Sequence, residues 1–245
     1  MKLRGILLDR DGTIVDLHAP FLRIAQQAAA LFAEGDTGIE IALLRAAGCD
    51  AGSGRMGIGC VFAAGTCEDV IDVWAPLLPF HNATLLQARI EAIGERVMAE
   101  AEAIDQVLDA IGILKSSGLV LGIATNATAA STRASVARLG LGGSMSFIAG
   151  CDSGHGAKPG PGMATAFCAS SGLKPEEVAI IGDTPHDIRT GRNAGLGLCV
   201  GVLSGAGTEA DLSEADIVLP SLADMPAYLQ SRASGKNNSQ IGFCV

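Results

Sequence analysis

Two aspartates separated by a single residue close a short apolar run near the amino end of this chain, in Asp9-Arg10-Asp11-Gly12-Thr13. In extended backbone, side chains two residues apart project the same way. One carboxylate could therefore attack phosphorus while the other handles a leaving group's proton. Alone, the segment reads equally well as a solvated Asp-Gly turn. Three more polar groups follow other apolar runs. Thr125 and Asn126, after residues 119–123, offer a hydroxyl and an amide that can both donate to phosphate oxygens, although Thr-Asn is also a common helix cap. Lys158 opens Lys158-Pro159-Gly160-Pro161, where two prolines stiffen the chain and aim a charge that elsewhere would simply be solvated. Gly182-Asp183-Thr184-Pro185-His186-Asp187 adds two carboxylates, the hard oxygen donors that magnesium takes.

These groups need a frame, and the hydrophobic pattern supplies one. Residues 3–8 read as a strand. From about residue 107 strands and helices alternate: helix 107–117, strand 119–124, helix 129–139, strand 147–149, helix 162–171, strand 178–181, helix 186–193, strand 198–202, strand 217–219 and helix 222–229. Such alternation implies a mostly parallel sheet, because each parallel crossover needs a helix-length connection. The fold class is therefore α/β, a Rossmann-like sheet core with an inserted α-helical cap. All four polar motifs fall at carboxyl ends of strands, the edge where open α/β sheets bind ligands. Residues 18–105 interrupt the rhythm with amphipathic helical runs at 21–32, 39–47, 68–78 and 84–103. The expected organisation is a discontinuous core of residues 1–17 and 106–231, a helical cap of 18–105, and a polar tail of 232–245 with no assigned function.

Read together, the sequence D-x-D-G-T, an apolar strand ending in Thr-Asn, K-P-x-P and G-D-x-x-x-D resembles the haloacid dehalogenase superfamily. Asn193-Ala-Gly and Gly201-Val-Leu-Ser-Gly-Ala-Gly further resemble its phosphoglycolate phosphatase branch, in which a helical cap follows the first motif. The resemblance implies that Asp9 is a nucleophile forming an aspartyl phosphate and that Asp11 is the general acid and base. It also implies Mg²⁺ held by the Asp9 carboxylate, the Asp11 carbonyl and Asp183, with Asp187 a ligand or the holder of a metal water. Thr125, Asn126 and Lys158 would bind the phosphoryl oxygens. Arg10 departs from the apolar or aromatic residue of many relatives, and its side chain is expected to point away from both aspartates.

The implied activity is hydrolysis of a small phosphate monoester, with phosphoglycolate the first substrate to consider. A phosphomutase acting on a sugar phosphate shares the same aspartates and is the enzymatic alternative. A non-catalytic phosphate-binding regulatory module is the alternative of another class, and retention of all four carboxylates disfavours it. A phosphonate hydrolase would use a cap lysine, and no lysine occurs between residues 17 and 114.

Composition agrees with a small-molecule enzyme. The 49% hydrophobic content suffices for a buried core, and a net charge of −9 opposes nucleic acid and anionic membrane surfaces. Seven cysteines without a C-x-x-C pair suit a reducing compartment, where they would serve as small buried hydrophobes. With no apolar run long enough for a leader or membrane span, the expected location is the cytoplasm. Oligomeric state is left open. Gly52-Ser-Gly-Arg-Met-Gly57 matches the G-x-G-x-x-G dinucleotide pattern but follows a helical run, so the strand that pattern requires is missing. It reads instead as a cap loop in which Arg55 either selects an anionic substrate group or is simply exposed. His18, His155 and His186 lie near the motifs and could touch substrate, though polar loop positions explain them as well.

Overall fold

A computed structural model describes residues 2–49, 56–79 and 82–234. Six strands form one sheet: β1 Gly5–Leu8, β2 Val120–Ala124, β3 Met145–Ala149, β4 Val178–Gly182, β5 Leu198–Val202 and β6 Ile217–Leu219. Their order is β3-β2-β1-β4-β5-β6 and every pairing is parallel. The order reverses between β1 and β4. Crossovers on the two sides of that point leave in opposite directions, which opens a crevice at the carboxyl ends of these two strands.

The strands read as continuous apolar runs because both faces are covered. Ile6, Leu8, Ala179 and Ile181 pack into one buried cluster, while Leu7, Val178 and Ile180 pack into another. The first face is covered by α6 Val107–Ser116 and α10 Met225–Ala233, through Ile111, Leu114, Met225 and Tyr228. The second is covered by α8 Gly162–Ser171 and α9 Pro185–Asn193, through Met163, Phe167 and Ile188. Between them in the chain, α7 Ala129–Arg138 connects β2 to β3.

Between β1 and α6 come α1 His18–Ala33, α2 Thr37–Ala46, α3 Val61–Ala64, α4 Cys67–Trp74 and α5 Ala83–Met98. Their shared core is built around Trp74, whose ring meets Phe62 at 5.4 Å and whose indole N–H donates to the Leu43 carbonyl at 2.8 Å. The chain enters and leaves this helical region through two segments lying side by side. Val15 and Ala103 form an antiparallel bridge, Asp16 N–H donates to Glu102 O at 3.1 Å, and Ile104 N–H donates to Ile14 O at 3.0 Å.

Most element boundaries lie within two residues of the sequence expectation. The run 68–78 is instead divided: α4 stops at Trp74 and Ala75–Leu77 form a 3₁₀ turn, because Pro76 lacks an N–H for a continuing helix. The run 84–103 also ends early, at Met98, since residues 102–104 are drawn into the pairing with residues 14–16. Helix α10 continues to Ala233, two residues into the segment expected as tail. Helix α3 has no counterpart in the expectation; four residues are too few to show a period.

Candidate active site

Strand β1 delivers Asp9 to the crevice, and the turn that follows sets its neighbours. The N–H groups of Ile14 and Val15 both donate to the Arg10 carbonyl, at 2.8 and 2.9 Å, which curls the chain back immediately after the strand. Gly12 makes this possible. It has φ +74°, and a Cβ there would stand 2.5 Å from an Asp183 carboxylate oxygen.

Strand β4, beside β1, delivers Asp183, and the first turn of α9 delivers Asp187. Asp183 is fully buried and fixed by backbone donors: Ala206 N–H reaches its Oδ2 at 2.7 Å and Gly207 N–H reaches its carbonyl at 3.0 Å. Gly205 is equally constrained, since a Cβ there would come within 2.0 Å of Asp183 Oδ2. Asp187 caps its own helix by accepting from Thr184 N–H at 3.1 Å and the Thr184 hydroxyl at 2.7 Å. From the loop before α8, the Lys158 ammonium reaches Asp9 Oδ1 at 2.7 Å and Asp187 Oδ1 at 2.5 Å.

One oxygen from each of Asp9, Asp183 and Asp187 lies within 4.8 Å of the others. Octahedral Mg²⁺, with bonds of about 2.1 Å, needs oxygens roughly 3–4 Å apart, so small movements would complete such a set. Three carboxylates around one ammonium carry two net negative charges when ionised, which matches a divalent cation. Asp183 Oδ1 is buried and has no hydrogen-bond partner among the described residues, a costly state that a bound cation would relieve. These residues therefore fit a hard divalent metal.

The electrostatics carry the same signature. Burial, with Asp187 and Asp11 nearby, pushes the Asp9 carboxyl up to about 7 against the counter-pull of Lys158. Burial and the charges of Asp9 and Asp187 hold Asp183 well above the usual carboxylate range. Burial alone would lower the Lys158 ammonium, but Asp187 and Asp9 outweigh it and hold it above its ordinary value, firmly protonated at neutral pH.

Asp9, Asp11, Thr125, Asn126 and Lys158 all line one cavity of about 560 Å³ between the sheet edge and the inserted helices. Thr125 Oγ1 accepts from Ala127 N–H at 3.2 Å, which leaves its own O–H to donate. Asn126 is engaged elsewhere than expected. Its Oδ1 accepts from Lys158 N–H at 2.8 Å and its Nδ2 donates to Lys158 O at 3.2 Å, so in this state it aligns the lysine backbone.

Arg10 corrects the sequence expectation more strongly. Its guanidinium does not point away but forks onto Asp11, at 2.9 Å to Oδ1 and 2.7 Å to Oδ2, and also donates to Ser131 Oγ at 3.0 Å. Alternation applies only in extended backbone, and the chain bends immediately after Asp9. The Asp11 side chain consequently faces Arg10 rather than joining the three-carboxylate set.

The supporting loop after β5 was also missed. Ser204 Oγ donates to Gly12 O at 2.7 Å, tying that loop to the first motif. Its signal was the glycine-rich stretch Gly201 to Gly207, read only as part of a resemblance. His186 lines the cavity. His18 accepts from Met56 N–H at 3.1 Å, and the His155 ring lies 6.5 Å from that of Phe147. Arg55 and most of the glycine-rich loop around it lie outside the described residues.

A doubly wound parallel sheet whose switch point gathers a buried aspartate cluster and a lysine beside an open cavity is an α/β arrangement whose residues fit a divalent metal. The chain belongs to the haloacid dehalogenase-like hydrolases, whose family pattern matches residues 68–200. It is 26% identical over 195 residues to N-acetylmuramic acid 6-phosphate phosphatase of Pseudomonas putida, covering 80% of this chain and 81% of that protein. It is also 29% identical over 122 residues to phosphoglycolate phosphatase of Escherichia coli K12, covering 49% of this chain and 48% of the other. Among solved structures, a haloacid dehalogenase family hydrolase from Deinococcus radiodurans, with bound phosphate and sodium, superposes with a TM-score of 0.69 at 21% identity. That match covers 95% of this chain and 96% of the other. No helix among the described residues is long and apolar enough to cross a membrane.

Proposed function

We propose that this protein is a Mg²⁺-dependent phosphatase that hydrolyses a small phosphate monoester through an aspartyl phosphate on Asp9. The observation that carries this reading is the placement of Asp9 against Lys158 and within the three-carboxylate set, in the wall of the cavity. The names of the two curated relatives, both phosphatases of phosphate esters, support the same reaction class.

Asp9 attacks phosphorus, and the ester P–O bond breaks as the leaving oxygen takes a proton from Asp11, which must turn out of the Arg10 fork to carry that proton. Water then attacks the aspartyl phosphate, with Asp11 removing its proton, and phosphate departs as the Asp9 carboxylate is regenerated. Lys158 and Thr125 hold the transferring oxygens, while Asn126 keeps the lysine aligned. Asp9, Asp183, Asp187 and the Asp11 carbonyl would hold Mg²⁺, which supplies the positive charge that lets an anionic nucleophile meet an anionic phosphate.

Residues 18–105 act as a cap in this proposal, with the paired segments at 14–16 and 102–104 as its hinge. The cap contributes Phe21, Phe62, Ile90 and Met98 to the cavity, together with Glu68 and Glu91. A cavity of about 560 Å³ far exceeds the needs of a two-carbon acid. Its size and acidic cap wall favour a leaving group larger than the glycolate of phosphoglycolate, the first substrate expected, and without a carboxylate of its own.

The test is phosphate release by purified protein from a panel of monoesters: phosphoglycolate, sugar phosphates, polyol phosphates and an aryl phosphate. Turnover of at least one ester with Mg²⁺, abolished by chelator, is expected. Full turnover in excess chelator, or no release from any ester with Mg²⁺ present, would contradict the proposal.

A further inference from the structure

Away from the catalytic cavity floor, two cysteines of the helical region face each other. Cys49 Sγ and Cys60 Sγ lie 2.9 Å apart, with Cys49 half-buried and Cys60 fully buried. The backbone enforces the approach independently of the sulfurs. Val61 N–H donates to Ala47 O at 3.0 Å, and Cys49 N–H donates to Leu44 O at 3.0 Å. Gly48, at φ +71°, leaves no room for a side chain, because a Cβ there would stand 2.2 Å from Gly59 O. Residues 47–49 and 59–61 are thus pressed together on rigid supports, and the expectation that the cysteines serve only as buried hydrophobes is too narrow for this pair.

We propose that Cys49 and Cys60 are an oxidation site that closes to a reversible intramolecular disulfide. With a peroxide as oxidant, the half-buried Cys49 is the entry point. Its sulfur attacks one peroxide oxygen, the O–O bond breaks, and Cys49 sulfenic acid and one water are formed. Cys60 then attacks the Cys49 sulfur, the S–O bond breaks, and the departing hydroxide takes the Cys60 proton as a second water. Two thiols have lost two electrons and two protons, and the peroxide has become two waters. The hydrogen bond between the two thiols holds Cys60 below the usual range, which suits the second step, and together with burial holds Cys49 above it, so Cys49 is the entry point by its exposure alone.

The cross-link joins the end of α2 to the start of α3, and α3 carries Val61 and Phe62 into the wall of the catalytic cavity. The inference stands apart from the proposed activity, since the same chemistry would occur in an inactive protein.

Trypsin cleaves after Arg45, Arg55 and Arg89, so Cys49 falls in peptide 46–55 and Cys60 in peptide 56–89. The full-length protein is treated with hydrogen peroxide, residual thiols are alkylated, and the digest is analysed by mass with and without dithiothreitol. A linked 46–55/56–89 pair that separates on reduction is expected. Cys67 shares the second peptide, so the link should persist in Cys67→Ser and vanish in Cys49→Ser. Oxidised wild type should also melt at a higher temperature than reduced wild type, with no such difference in Cys49→Ser. Recovery of both cysteines alkylated, over-oxidation of Cys49 without a link, or loss of the link in Cys67→Ser would each overturn the assignment.

Discussion

Lys158 stands between Asp9 and Asp187, and each contact makes the others tolerable. Three carboxylates could not stay ionised in this volume without it, and one lysine does not neutralise three. Arg10 plays the corresponding part for Asp11. Its bidentate hold fixes the carboxylate plane, so removing the fork should disorder the group that moves the leaving proton. Arg10→Lys keeps the charge and loses the fork. With an alkyl phosphate its kcat should fall by about 10- to 100-fold, less than the roughly 10²- to 10⁴-fold that general acid catalysis supplies, because Asp11 is loosened and not removed. An activated aryl phosphate, whose departing oxygen needs less help, should be affected much less in its first step. The pre-steady-state burst of aryl alcohol release, set against kcat on the alkyl ester, checks this; a burst rate that falls as far as the alkyl kcat would assign Arg10 to folding alone. Arg10→Leu is the harsher change, expected to cost about 3–5 kcal/mol in denaturant unfolding because it removes one partner of a buried pair. The chemistry of Asp9 and Asp183 was legible in the sequence because each follows the end of an apolar run, and that of Lys158 because Pro159 and Pro161 stiffen the chain that carries it. The fork of Arg10 was not, because it depends on where the strand stops.

At the scale of elements, the site is four strand-to-helix connections brought to one edge by parallel order. Those connections were visible as apolar runs of five or so residues followed by glycine, proline and aspartate, a pattern that parallel strands buried on both faces produce. The loop after β5 was less visible, since its role is to give Asp183 backbone donors and clearance. Gly205 is the sharpest test of that role. In Gly205→Ala the new methyl would collide with the Asp183 carboxylate, which is fully buried and held by Ala206 N–H. We expect a destabilisation of about 1–3 kcal/mol in denaturant unfolding, from overpacking. We also expect weaker Mg²⁺ binding by calorimetry. Gly195→Ala is the control for glycine loss in general, since a Cβ there meets nothing within 4 Å although φ is +69°. It should lose stability by backbone strain yet bind Mg²⁺ normally. The helical region was legible only as helices; α3 and the pairing of residues 102–104 with 14–16 arise from tertiary contacts that no local period encodes.

For the whole molecule, the buried acidic cluster sets how stability responds to pH and metal. Asp9 titrates at about 7 in the folded, metal-free protein against its ordinary 3.8. Between those values the folded state keeps a proton that the unfolded state has released, so stability falls as pH rises through the window. Asp183 shifts in the same direction. Lys158, held high, stays protonated throughout and does not alter the sign. On the proposed function Mg²⁺ would replace the protons, so its stabilisation should be larger at pH 7.5 than at pH 5. Thermal melts with Mg²⁺ or chelator at the two pH values check this, and equal shifts would contradict it.

The assignment of Asp9 as nucleophile and Asp11 as proton carrier is tested most directly by trapping the intermediate. Asp9→Asn and Asp11→Asn are mixed with an aryl phosphate and Mg²⁺, quenched rapidly in acid, and examined by intact mass. Asp11→Asn keeps the nucleophile but lacks the base for hydrolysis, so a phosphoryl group should accumulate on it. Asp9→Asn should gain none and should not turn over. Labelling of Asp9→Asn, or its sustained turnover, would contradict the mechanism.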